Sequence, residues 1–355
     1  MSNVISLRRQ PAAFSQPAIP ALIDLFGSRR RGRHDAFWLK ENAELLQILA
    51  ALGVGSEADL DPLRIRAETL MQELRFFPQY YRMYLSLAVD LRDLGMTEAP
   101  VAEMADYILT QDLPAIELSD THRGEAMLLL RRAGLAAADS GLEARLARFA
   151  ANAAAFCLPN RRAAYDLTHI VFHAADYGRK TIPRDAQRRL SLIHAGLVAW
   201  LEDNLDLLAE VTLALRLSGE TVPEPWANAV AIAADQVVFE PGSPTGPLDD
   251  DYHQYLVLNW ALGLSGGAAF CGDVPANARL IRQPRRQATT LHEVSLALLD
   301  MGEARRSEWS VMRWRLWPKL SAAARERLET VASMPEFEGF FAGFSRAGQG
   351  KVVTV

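Results

Sequence analysis

The residues of this chain best suited to chemistry lie in the stretch Tyr165-Asp-Leu-Thr-His-Ile-Val-Phe-His-Ala-Ala-Asp-Tyr-Gly178. On a helix turning about 100° per residue, Asp166, His169, His173 and Asp176 fall within a sector of roughly 80°, and Ile170, Val171, Ala174 and Ala175 turn the other way. A solvated helix face usually carries Lys, Glu, Arg and Gln, whereas histidine and aspartate are the types that ligate metals and move protons. His169 and His173 stand one turn above each other, the spacing chelation requires. A face turned to solvent accounts for a lone His-x-x-x-His pair as well, so spacing by itself leaves both readings standing.

Two further segments carry matching groups. Asp206 and Glu210 are one helical turn apart after Asp203-Asn204. They could complete a mixed imidazole and carboxylate site or orient the histidines from behind. The helix dipole alone accounts for Asp206 in a first turn, and accounts less well for Glu210. Arg216, further along, is placed to pair an acid. In Leu248-Asp-Asp-Asp-Tyr-His-Gln-Tyr, His253 shares a helical stripe with Leu256, Val257 and Trp260 and is expected to point inward, where an imidazole needs a partner. Asp249, Asp250 and Asp251 read as caps for that helix; they share composition, but not spacing, with the acidic motifs of terpene cyclases. The candidate metal set is therefore His169, His173, Asp176 and His253. Asp166, Asp206 and Glu210 support it, and Asp176 or Glu210 is the candidate base.

The remaining reactive types read as structural. His194 shares a stripe with Leu190, Leu197 and Leu201 and faces a core; His292 is a cap or core residue; His34 and His122 open helices. Cys157 and Cys271 have no base near them in sequence and form no Cys-x-x-Cys pair. A nucleophilic thiol is thus unsupported, and a disulfide framework or zinc knuckle is excluded. The basic run Gly27–His34 reads as a solvated loop, Trp309, Trp314 and Trp317 as helix packing, and Phe337, Phe340, Phe341 and Phe344 as a terminal helix closing the core. No glycine-rich phosphate loop joins a strand to a helix.

The elements that must position these groups are helices. Alanine and leucine dominate, and alternating Val and Thr are confined to pieces such as Val352–Val355. After an arm over residues 1–18, helical periodicity runs from His34 to Leu52, stops at Gly53, and restarts at Asp61-Pro62 with proline in the first turn. Phe76-Phe77-Pro78 breaks it before Gln79–Leu94. The same grammar predicts helices over Ala99–Thr110, Asp120–Arg132, Leu142–Cys157, Arg161–Tyr177, Asp185–Glu202, Leu205–Leu217 and Trp226–Val238. Asp251–Leu264, Leu291–Met301, Glu308–Trp317, Ser321–Ala332 and Pro335–Phe344 follow. Short helices joined by short turns predict an all-α fold of helical hairpins. The absence of a fixed-period repeat favours closure as an α/α toroid over an open solenoid. The expected organisation is an N-terminal bundle over 19–115, a toroid-like domain over 116–345 and a tail over 346–355.

Half of the 355 residues are hydrophobic, enough for one large core or two ordinary ones. A net charge of −5 with no basic block argues against nucleic acid as partner. No stretch approaches the roughly 20 apolar residues of a membrane span, and no secretory leader is evident. Isolated cysteines suit a reducing compartment, so the cytoplasm is the expected location.

The pattern Thr168-His169-Ile-Val-Phe172, Asp176-Tyr-Gly178, Asp206-Leu-Leu-Ala-Glu210 and Tyr252-His253 resembles an uncharacterised, mainly bacterial family of all-helical, toroid-shaped proteins. In that family a Thr-His-x-x-Phe segment ends in Asp-aromatic-Gly, and a Tyr-His pair opens a later helix. The resemblance covers about residues 160–265. It implies a helical toroid and no particular activity. Prenyltransferase β-subunits and lanthionine cyclases are similar in shape and hold zinc partly through cysteine, a motif this chain lacks. Two readings follow. One is a central site that binds a divalent metal and acts on a small molecule or peptide; the other is a non-catalytic helical scaffold for a protein partner.

Overall fold

The structure, a computed structural model, describes residues 18–32, 34–244, 250–281 and 288–347. The arm expected over residues 1–18 falls outside it apart from Ala18, as do the Asp249 cap, the Val352–Val355 piece and most of the expected 346–355 tail. The fold is all-α. Among the described residues the first helices are α1 (Ala18–Asp24), α2 (Ala36–Leu52), α3 (Asp61–Phe76), α4 (Tyr81–Asp93), α5 (Val101–Thr110) and α6 (Asp120–Arg132). Then come α7 (Leu142–Ala150), α8 (Arg161–Ala174), α9 (Ala186–Leu201), α10 (Leu205–Leu217), α11 (Glu224–Asp235) and α12 (Tyr252–Leu264). The last four are α13 (Thr290–Met301), α14 (Trp309–Leu316), α15 (Ala322–Ala332) and α16 (Phe337–Ser345). None of the described helices is long and apolar enough to cross a membrane.

Three local expectations need correction. The helix expected over Leu142–Cys157 leaves helical geometry at Asn152 (ψ 66°), and a 3-10 turn over Ala153–Cys157 then buries Phe156 and Cys157. The helix expected to reach Tyr177 stops at Ala174: Asp176, Tyr177 and Gly178 are left-handed, with φ of 45°, 52° and 101°. The 100° projection therefore does not apply to Asp176. Finally, the helix expected to end at Val238 stops at Asp235. The next residues form β1 (Val238–Pro241), antiparallel to β2 (Ala278–Ile281) with Val238 opposite Ile281, a ribbon too short and irregular for the alternation test.

Contacts divide the chain into two compact units, and both are discontinuous. The first comprises Met1–Glu117, Glu125–Ala137 and Ala233–Arg282; the second comprises Leu118–Gly124, Ala138–Ile232 and Gln283–Val355. The expected boundary near 115 lies beside the first crossing, but the Ala233–Arg282 segment groups with the N-terminal helices and not with the later ones.

The reason is a buried charge. A π-helical turn over Leu25–Arg29 follows α1, and α2 holds its carbonyls: Trp38 Nε1 donates to Gly27 O at 2.8 Å and Asn42 Nδ2 to Phe26 O at 3.0 Å. Leu63 packs closely on Gly27: a Cβ there would stand 2.9 Å from a Leu63 methyl, which would have to shift. This turn delivers Arg30 into the interior, 1% exposed, where Nε donates to Glu41 at 3.0 Å and Nη1 to Asp250 and to Ala278 O, both at 3.0 Å. Arg31 also donates to Glu41. The basic run expected to be a solvated loop therefore contains the innermost cation of this unit. Asp250, expected to be a simple cap, also accepts from Tyr252 N at 2.7 Å and Leu280 N at 2.8 Å, tying α12 and β2 together. Around this centre α2 packs on α4 and α12.

The second unit is built on α8, α9 and α10. Every residue of α9 from Ser191 to Leu201 is buried, and a Cβ on Gly196 would fall 2.4 Å from the Trp226 ring, so only glycine lets that indole seat. Phe337, Phe340, Phe341 and Phe344 of α16 are each 1% exposed and close the core, as the sequence suggests. Trp200 and Arg327 exchange side-chain to carbonyl hydrogen bonds of 3.0 and 2.6 Å, fixing α15 on α9.

Removing Asp250 takes one of two carboxylates from the buried Arg30 guanidinium and leaves two backbone N–H groups without their acceptor. Asp250→Ala is expected to cost about 3–5 kcal/mol in urea unfolding. Asp24→Ala, which opens only the exposed Arg29 pair at 3.3 Å, should cost under about 1 kcal/mol. Equal losses in the two variants would refute the central role of Arg30.

Candidate functional site

Helices α8 and α10 start from side-chain caps: Asn160 Oδ1 accepts from Ala163 N at 3.1 Å, and Asn204 Oδ1 from Leu207 N at 3.2 Å. Asp203, with φ 55°, turns the chain sharply out of α9, so α10 returns alongside α8. Side-chain pairs fix the register. Tyr165 Oη donates to Asp206 Oδ2 at 2.6 Å, and one turn on Thr168 Oγ1 donates to Glu210 Oε2. Both helices advance together along these pairs, so they run parallel, with α9 as the return.

This seam is polar where the rest of α10 is not. Glu210 is 1% exposed among buried leucines, valine and alanine. Its carboxylate meets the Thr168 hydroxyl, which also lies 2.8 Å from Tyr165 O, so one hydroxyl hydrogen serves two acceptors. His169 Nε2 lies 3.7 Å from Glu210 Oε2, and its side chain is 45% exposed. Carboxylate oxygens of Asp206 and Glu210 lie within 4.8 Å of each other. Burial, followed by the charges of Asp206 and Glu210, pushes the Tyr165 hydroxyl well above its ordinary range, so Tyr165 remains a donor to Asp206.

The other expected site residues are placed as follows. His173 is buried one turn beyond His169, ring centres 5.9 Å apart, and the Tyr177 ring also lies 5.9 Å from it. Asp176 is buried on the left-handed turn after α8, with Arg179 Nη1 3.8 Å from its Oδ1. Asp166 is half-buried on α8. His253 belongs to the first unit, where it stands half-buried at the second residue of α12 against the Tyr252 ring at 6.4 Å, not fully inward as its stripe predicts. Arg216 pairs with no acid among the described residues, and burial lowers its pKa. In the second unit Glu210 is thus the shared neighbour, with His169 Nε2 at 3.7 Å and an Asp206 oxygen within 4.8 Å. The seam adds two residues to which the sequence reading gave no role, Tyr165 and Thr168. Both lie inside the motif; their task becomes visible only when α10 is set beside α8.

A second imidazole contact is absent from the linear sequence. Cys157 Sγ lies 3.2 Å from His194 Nδ1, 37 residues away. It is not a nucleophile and base. His194 Nδ1 lies 2.9 Å from Ala153 O, and a carbonyl only accepts, so Nδ1 carries the hydrogen and has no lone pair for the thiol. Burial raises the thiol pKa to about 11 and lowers that of His194, whose buried Nε2 has no hydrogen-bond partner among the described residues.

Two outcomes follow from this geometry. Thr168→Val removes the hydroxyl on buried Glu210 and should cost about 1–3 kcal/mol in chemical denaturation, whereas Thr168→Ser should cost far less; equal losses would show that only packing matters. His194 has a folded pKa below its unfolded one, so the unfolded chain takes the proton first as pH falls. The contribution of His194 is complete above about pH 6.5 and is lost on acidification. The unfolding midpoint should fall more steeply between neutral and mildly acidic pH in the wild type than in His194→Gln, and parallel pH profiles would contradict this.

A family model described as Domain of unknown function (DUF6902) matches residues 1–347. No curated protein and no solved structure matches the chain.

Proposed function

The chain belongs to the DUF6902 family, and from its own side chains we propose that it binds a divalent metal ion on the α8 and α10 seam and acts there on a small molecule or peptide. The observation that carries this reading is the buried Glu210 carboxylate, with an Asp206 oxygen within 4.8 Å and His169 Nε2 at 3.7 Å. One imidazole with two carboxylates is a donor set suited to zinc, manganese or iron. On this reading Asp206 and Glu210 move from support to ligands beside His169. Tyr165 and Thr168 become the groups that orient them, each donating to one carboxylate. A bound ion would supply Lewis acidity or an activated water. The half-exposed His169 leaves a side open to a substrate, while Glu210 is closed to water by its helix neighbours.

A second reading, a scaffold for a protein partner, is favoured by apolar side chains left in solvent on α13 and α14, which pack on each other. Leu299 is 70% and Trp314 71% exposed.

Elemental analysis of full-length protein purified without chelator and equilibrated with Zn2+ or Mn2+ separates the two. The metal reading expects about one ion per chain, with affinity falling about tenfold or more in Asp206→Asn and Glu210→Gln. Wild-type protein that holds neither ion and shows no thermal shift with either removes the metal reading and leaves the scaffold.

A further inference from the structure

The first unit contains a cleft of about 760 Å3 that the metal reading does not use. Its wall is formed by the last turns of α3, the Phe77 break, the turn carrying Gln79 and Tyr80, Tyr84 of α4 and the first residues of α2. The volume lies within the range of roughly 300–1,000 Å3 typical of small-molecule sites.

The composition of the wall is informative. At its edge Phe76 is 76% and Phe77 41% exposed, with ring centres 4.6 Å apart and planes at 80°. The sequence explains why they stand there: Pro78 breaks the helix after them, and Phe77 N still bonds Glu73 O at 2.7 Å, so neither ring can follow α3 back into the core. Two adjacent aromatic rings in water beside a cleft are surface that a ligand can cover.

The acids and arginines in the wall already have partners, and the exposed His34 adds an imidazole to it. Glu73 accepts from Arg66, from Thr69 Oγ1 at 3.0 Å and from Tyr84 Oη at 3.4 Å. Arg75 pairs with Glu103 at 2.9 Å. Asp35 caps Phe37 N at 2.9 Å and faces Arg31 at 3.4 Å. Burial, then the Glu73 charge, raises Tyr84 to about 12, which keeps it a donor in this network. An anion or cation entering the cleft would have to compete with an internal partner and lose its own hydration. An uncharged ring would meet aromatic surface and the neutral amides of Gln72 and Gln79.

We propose that this cleft is a binding site for an uncharged, flat aromatic molecule, with its ring against Phe76, Phe77 and Tyr80 and its polar edge on the glutamine amides. This site shares no residue with the α8 and α10 seam, so it stands or falls independently of the metal.

The test uses naphthamide, naphthoate and naphthylmethylammonium, which share a ring system and differ in charge, each titrated into the full chain by saturation-transfer NMR and calorimetry. Naphthamide should bind more tightly than either charged probe. Phe76→Ala and Tyr80→Ala should each weaken it about tenfold, while Leu118→Ala, at a fully exposed residue outside the cleft, should leave it unchanged. Because Phe76 is largely in solvent, its loss leaves the fold intact, and circular dichroism checks this. No saturation transfer to naphthamide, a preference for either charged probe, or naphthamide binding unaltered in both aromatic variants would each overturn the proposal.

Discussion

The guanidinium of Arg30 is the constraint on which the first unit depends. Burial works against its charge, but the carboxylates of Asp250 and Glu41 outweigh burial and hold its pKa above the ordinary value. A charge in that position cannot be left with one partner, because each missing one would leave a buried ion uncompensated. Its partners come from α2, from Asp250 two residues before α12 and from β2, so three segments far apart in sequence have to assemble at once. This is why a piece from beyond residue 233 belongs with the N-terminal helices. Apolar packing of α2 on α4 and α12 supplies bulk attraction, which is tolerant of sliding; the ion cluster is not tolerant and selects one register.

The same argument, with the opposite sign, governs the second unit. Glu210 is the buried charge type there, and α8 offers it a hydroxyl and an imidazole where Arg30 is offered carboxylates. Structural ion pairs elsewhere in the chain, such as Arg132 with Asp90 at 2.8 Å, are closed by arginine, whose charge is fixed. Around Glu210 the groups are instead an imidazole, a hydroxyl and a neighbouring aspartate, the setting on which the proposed metal reading rests. That difference in partner type separates a candidate site from reinforcement.

Helical content was legible from turn chemistry and periodicity: Asp61-Pro62 starts α3, and the limits of α6 and α10 coincide with those expected. What the sequence concealed were features set by contacts between distant segments. The β1 and β2 ribbon consists of two four-residue pieces that pair across α12, too short for alternation to register. Arg30 and Arg31 look like solvent residues because Glu41 and Asp250, the buried acids that hold them, lie ten or more positions away. On α8 the error came from extending a helix through Asp176 and Tyr177, whose left-handed backbone no residue type except the following glycine announces. The polar face was legible, but which of its members meet Glu210 depended on the parallel register of α8 and α10.

Two imidazoles beside reactive partners invite the same interpretation and do not bear it equally. His194 sits 3.2 Å from a thiol, closer than His169 sits to Glu210, yet its proton is committed to a carbonyl and both residues are sealed, with Cys157 at 1% and His194 at 5% exposure. Burial there favours the neutral thiol and the neutral imidazole, which removes the charge separation that nucleophilic chemistry needs. His169 has the longer contact but a side chain 45% in solvent, so it is reachable from outside while its Nε2 faces a buried carboxylate. Proximity alone ranks the two sites in the wrong order. Access, with the identity of the group holding each ring nitrogen, reverses that order and is the ground on which the proposed metal reading rests on the α8 and α10 seam.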